Sequence, residues 1–137
     1  MGDPQAEAKG SAEQSAAPVV YVCITCGQAG EPEREPRPGM LLADATERAA
    51  AGTEVEVRRL RCLANCTHGP TAAMRCNGSW TYVFGRLDPT CAEALVAGAR
   101  LLAGTAHGIL PWRGRPEHLK GRLIARVPPT DFVETDL

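Results

Sequence analysis

CLANCTHGP, residues 62–70, follows the alternating run TEVEVRRL at 53–60 and sets two cysteines four positions apart just ahead of a Gly-Pro. In that run Val55 and Val57 fall on one face and Glu54, Glu56 and Arg58 on the other, which predicts a half-buried strand delivering Cys62 at its end. An earlier stretch repeats the arrangement: VVYVC, residues 19–23, is a β-branched run that ends on Cys23, with Cys26 three positions later. Thirty-five residues separate Cys26 from Cys62, and within them MLLADATERAAA (40–51) has helical spacing at Leu42, Ala45 and Ala49, closed by Gly52. A strand, a helix and a second strand predict a right-handed crossover between parallel neighbours. Their carboxyl ends then lie side by side, so both cysteine pairs reach the same edge of the sheet.

Outward from this unit, TAAMRCNGSWTYVFGRL reads as a hairpin turning at Asn77-Gly78. Asp88-Pro89 opens a second helix, with Asp as N-cap and Pro at the first helical position; Cys91, Leu95, Gly98 and Leu102 share one face of it. The expected fold is α/β: a four-stranded mixed sheet, a helix on either side, and a C-terminal extension. Residues 1–18 have little to bury and are expected to be disordered, 19–104 to form the metal-binding domain, and 105–137 to be a basic extension packed on it. Within that extension GRLIARV has the pattern of an edge strand or a short helix.

The chain has 137 residues, with 15 Lys and Arg against 16 Asp and Glu. That balance does not favour a polyanion, so nucleic acid is not expected as a partner. No run approaches the roughly 20 apolar residues of a membrane span, and the start has no apolar signal core. A cytoplasmic protein is expected, where six cysteines point to metal or redox work more than to structural disulfides.

Four convergent thiolates (Cys23, Cys26, Cys62 and Cys66) suit zinc, iron or an iron–sulfur cluster. Zinc in a four-cysteine site merely holds a small domain together, and spacing alone leaves it open. A thioredoxin-type disulfide exchange at Cys23-Ile24-Thr25-Cys26 is disfavoured, because breaker-rich GQAGEP follows where a helix should open. Cys76 and Cys91 read as small core hydrophobes. Asn65, Thr67 and His68 stand close enough in sequence to hydrogen-bond cluster sulfurs. Trp112, Arg113 and Arg115 lie in a segment, 105–127, where five basic residues face Glu117 alone. They are expected to dock a partner, with Trp112 partly buried. No catalytic triad, carboxylate pair or phosphate loop is present, so an independent enzyme is not expected.

Cys-Leu-x-x-Cys-x-x-Gly-Pro, followed by a hairpin with Asn-Gly-x-Trp at its turn, resembles the thioredoxin-like 2Fe-2S ferredoxins, whose order of elements is the one read here. The resemblance implies that Cys62 and Cys66 ligate one iron and Cys23 and Cys26 the other; the Cys-x-x-Cys spacing of the first pair is tighter than is usual there. Cys-x-Thr-Cys, CLANCTHGP, GSWTYVFGRLDP, PWRGRPE and IARVPP also resemble an uncharacterised bacterial family of predicted metal-binding proteins linked to cobalamin biosynthesis. Together these imply a 2Fe-2S electron-transfer protein serving corrinoid biosynthesis, with a redox partner protein and with a homodimer left open. The alternatives are a zinc- or cobalt-binding metallochaperone and a structural Zn module using the same cysteines.

Overall fold

The computed structural model describes residues 17–27 and 35–134, the side chain of Cys66 excepted. The segment expected to be disordered therefore lies, but for its last two residues, outside the described part. Five strands and two helices follow in the order β1 (Val19–Cys23), α1 (Pro38–Ala50), β2 (Glu56–Leu60), β3 (Ala72–Arg75), β4 (Thr81–Phe84), α2 (Ala92–Ala103) and β5 (Leu123–Val127). The sheet runs β2-β1-β3-β4-β5, with β1 and β2 parallel and every other pair antiparallel. The expected four strands are thus corrected to five. GRLIARV supplies the fifth because its β-branched and apolar residues pair with β4, from Thr81 opposite Val127 to Phe84 opposite Leu123.

The expectation of a helix on either side is also corrected. α1 and α2 pack against each other and against β1, so both cover one face of the sheet. That face carries Val20 and Val22 from β1, Ala72 and Met74 from β3, and Tyr82 and Phe84 from β4, all buried. Leu42, Ala43, Thr46 and Ala50 close it from α1, and Leu95, Ala99 and Leu102 from α2. The buried stripe of α1 is shifted by one position from Leu42, Ala45 and Ala49; the two alanines sit at its margin. Gly98 lets α2 approach closely, since a Cβ there would lie 2.7 Å from Leu119 Cδ1 and 3.4 Å from Met74 Cε.

Local chemistry sets the boundaries. α1 begins at Pro38, whose missing N–H costs nothing in a first helical turn. The β3–β4 connection is closed by Ser79 N–H donating to the Cys76 carbonyl at 3.0 Å, with Gly78 at φ 77°. Asp88 caps the turn Pro89–Cys91 by accepting from Thr90 N–H at 2.8 Å, and α2 continues from it. Beyond α2 the chain returns to the core at Leu110 and Leu119, both buried, and Leu110 N–H donates to the Tyr82 hydroxyl at 2.8 Å. Among the described residues no helix is long and apolar enough to cross a membrane.

Candidate metal centre

Parallel pairing places the two cysteine segments. Cys23, the last residue of β1, lies opposite Leu60, the last of β2. The ladder runs one step further, with Ile24 N–H donating to the Leu60 carbonyl at 2.9 Å. The next carbonyl, Arg61, accepts from the Cys23 thiol at 3.2 Å and from the Thr25 hydroxyl. Cys62 follows directly. The two segments are joined by hydrogen bonds at the carboxyl edge of the sheet, as the crossover required.

Within the first loop the thiols of Cys26 and Cys23 are 2.9 Å apart and hydrogen-bonded, both buried. Burial, the largest single influence, pushes the Cys23 thiol up. Hydrogen bonds from the Cys26 thiol, the Leu63 backbone and the Thr25 hydroxyl and backbone outweigh it and hold Cys23 below the ordinary thiol value. Cys62 is exposed, and its sulfur accepts the Ala64 N–H at 3.1 Å across a tight turn in which Ala64 is left-handed, φ 63°. Cys66 opens the single turn Cys66–His68; its side chain lies outside the described part.

Two glycines shape this edge, and neither was singled out in the sequence. Gly39, in the first turn of α1, donates its N–H to the Cys26 carbonyl at 2.9 Å. A Cβ on it would stand 2.2 Å from the Cys23 carbonyl oxygen. Helix α1 is therefore seated directly on the first cysteine loop, with the Cys26 carbonyl satisfying an otherwise open donor of its first turn. Gly69 belongs to the second loop, and a Cβ on it would lie 2.8 Å from both Cβ and Sγ of Cys26. The signal for both was Gly beside Pro, in Pro38-Gly39 and Gly69-Pro70, which a local reading assigns to turns and not to close approach.

The neighbouring polar residues are engaged elsewhere. Asn65 donates its amide to the buried Thr71 hydroxyl at 3.1 Å, tying the second loop to the start of β3. The Thr67 hydroxyl and His68 Nδ1 bond each other at 3.0 Å. Cys91 is fully buried in the core, where burial raises its thiol pKa, and Cys76 packs at the core margin. Among the described residues no three Cys, His, Asp or Glu side chains converge as a metal site.

Trp112 is 60% exposed, so it is only partly covered. Pro111 and Trp112 sit on a surface turn, where Arg115 and Lys120 lie over the indole at 5.3 and 5.0 Å. Arg115 also donates to the carbonyls of Leu110, at 2.7 Å, and Pro111, at 3.2 Å, so it props its own loop, while Arg113 is exposed.

The donor chemistry fits a thiophilic metal or iron–sulfur cluster: a buried thiol pair and an exposed cysteine on an adjoining loop of the same sheet edge. Two sulfurs on one tetrahedral metal, at bonds of about 2.3 Å, stand ~3.8 Å apart. Holding one there requires Cys23 and Cys26 to lose their mutual hydrogen bond and spread by about 1 Å, a side-chain rotation.

The fold is an α/β domain of two helices on a five-stranded mixed sheet. A family model described as "Protein of unknown function (DUF1636)" matches residues 20–129, and the chain belongs to that family. Among solved structures it is similar to a thioredoxin-like 2Fe-2S ferredoxin from Aquifex aeolicus, with a TM-score of 0.52, 16% identity, and coverage of 84% of this chain and 97% of that one. A cysteine-to-serine variant of the Aquifex aeolicus protein matches with a TM-score of 0.52, 14% identity and coverage of 79% and 98%. No curated protein matches the chain. At these identities the likeness is one of fold.

Proposed function

We propose that the protein is a 2Fe-2S electron-transfer protein, with Cys23, Cys26, Cys62 and Cys66 as the ligands. The observation that carries this reading is the sheet edge itself, where parallel β1 and β2 bring a buried thiol pair beside the Cys62 loop. The likeness in fold to a 2Fe-2S ferredoxin supports it. A bound cluster supplies one-electron exchange, and the rest of the work is the chain's own. Gly39 and Gly69 fit the backbone against the first loop, the Arg61 carbonyl and Thr25 position Cys23, and burial keeps water from the first pair. The exposed Cys62 side leaves a path to a redox partner. The resemblance to a cobalamin-linked family makes corrinoid synthesis in the cytoplasm the setting of the same proposal.

Zinc in the same four cysteines is the second reading, favoured by the short Cys-x-x-Cys spacing of the first pair. Anaerobic purification separates the two. A brown protein with equal iron and acid-labile sulfide is expected, losing its colour in Cys62→Ser. A colourless protein holding one zinc would sink the electron-carrier reading.

A further inference from the structure

Among the described residues two non-glycine positions have left-handed backbone, Ala64 at φ 63° and Arg86 at φ 54°, and both belong to the cysteine edge. Ala64 lies between Cys62 and Cys66. Arg86 follows β4, whose last residue, Phe84, pairs with Ala72, itself paired with Val22 beside Cys23. Its N–H donates to the His68 carbonyl, and a Cβ on Gly85 would lie 2.7 Å from Asn65 Nδ2 and 2.9 Å from the His68 carbonyl oxygen. The turn at Arg86 is thus seated on the Cys62–His68 loop. Glycine is the ordinary residue for such a backbone, so an arginine kept there points to a use for its side chain.

That side chain is exposed, and among the described residues its guanidinium meets no acceptor. Arg61, just before Cys62, is alike: its carbonyl is turned to the Cys23 thiol and the Thr25 hydroxyl, while its guanidinium is exposed without a partner. Arg122, beside Arg86, donates to the Arg86 carbonyl at 3.1 Å and the His118 carbonyl at 2.7 Å. Other charges nearby are matched. Arg59 pairs with Asp44 and Glu47, Arg37 with Glu35 at 3.3 Å, and Lys120 with Glu117 at 3.6 Å. Asp88 accepts from Thr90 and feels Arg122 and His118.

We infer that the Cys62 side of this edge is a docking face for an acidic redox protein, with Arg61 and Arg86 flanking the second cysteine loop and pairing with carboxylates around the partner's own centre. The inference rests on the electron-transfer reading and adds the partner's chemistry to it. A guanidinium with no internal carboxylate suits an external one, which it binds through two parallel hydrogen bonds. Unpaired cations around an exposed site also speed encounter with an oppositely charged face. The whole chain is slightly acidic, so the attraction is local and turns the partner toward Cys62.

The test mixes the full holo-protein, reduced with dithionite, in stopped flow with plastocyanin, which has an acidic face, or with cytochrome c, which has a basic one. The plastocyanin rate should fall as salt rises and the cytochrome c rate should not. Arg61→Ala and Arg86→Gly should each slow plastocyanin ~3-fold at low salt, and together about 10-fold, while Arg113→Ala leaves the rate as it was. Glycine suits the left-handed backbone, so Arg86→Gly should unfold at the same or a higher urea concentration. Earlier unfolding would make Arg86 a support of the turn and overturn the inference, as would a wild-type rate indifferent to salt or to both arginines. Isothermal titration with plastocyanin, on the protein as purified and whatever metal it holds, tests the face apart from electron transfer. A zinc protein that binds through Arg61 and Arg86 would sink the carrier reading and keep the face. A brown protein that binds no better than its double variant would do the reverse.

Discussion

The cysteine edge and the basic C-terminal segment both attract attention in the sequence, and the structure uses them in opposite ways. At the cysteine edge the backbone closes in on the side chains: Gly39 sits against the Cys23 carbonyl and Gly69 against the Cys26 sulfur. In the C-terminal segment the side chains close in on the backbone. Arg115 holds the Leu110 and Pro111 carbonyls, Arg122 those of Arg86 and His118, and Trp112 lies open beneath two cations. A site is marked by where the main chain has left no room for anything else. A cluster of charged and aromatic residues is, by itself, as readily a means of fixing a loop.

The largest test of that contrast is Gly39→Ala. Its Cβ would meet a carbonyl oxygen that cannot move without shifting β1, so a loss of about 3 kcal/mol in urea unfolding is expected. An unchanged midpoint would show that α1 is not seated on the first loop. Cys91→Ser comes next. It replaces a buried thiol by a more strongly hydrated hydroxyl beside the Asp88 carboxylate and should cost about 1–2 kcal/mol while leaving metal content as it was. Metal loss from that variant, with the fold intact, would mean that the ligands had been assigned wrongly.

Gly69→Ala should be milder in stability, about 1–2 kcal/mol, because rotation about χ1 clears the Cys26 sulfur and only the Cys26 Cβ, fixed to its backbone, forces the loop to shift. That rotation displaces Cys26, so metal content should fall more than stability does, the reverse of Cys91→Ser. Measuring both quantities on both variants separates support of the site from support of the core.

Asp88 joins the body of the domain to the basic segment. Thr90 hydrogen bonds are the main cause of its lowered pKa, with Arg122 and His118 adding to them. A carboxyl depressed on folding stabilises fully above its unfolded pKa, about 3.9, and loses that contribution as pH falls through the lower folded value. Asp88→Ala should therefore cost about 1 kcal/mol at neutral pH and converge with wild type in acid.

The smallest effects fall on Arg115 and Arg113, the two arginines beside Trp112. Arg115→Ala should cost about 1 kcal/mol, since charged hydrogen bonds to two carbonyls are lost. Arg113→Ala, exposed, should stay within about 0.5 kcal/mol. Equal effects would remove the distinction between prop and surface charge.

The sequence by itself determined the elements and their order as far as α2. Alternation marked β2, the Asn-Gly turn the hairpin, and Asp-Pro the start of the turn leading into α2, because each of these signals acts within a few residues. It also placed both cysteine segments at one sheet edge, since a short crossover leaves parallel strands little choice. Tertiary structure decided what depends on approach between distant residues. It put both helices on one face, made 123–127 a fifth strand, exposed Trp112, and gave Gly39 and Gly69 their places against the thiol loop. None of these is local: a glycine's missing Cβ has meaning only once something from elsewhere in the chain occupies the space.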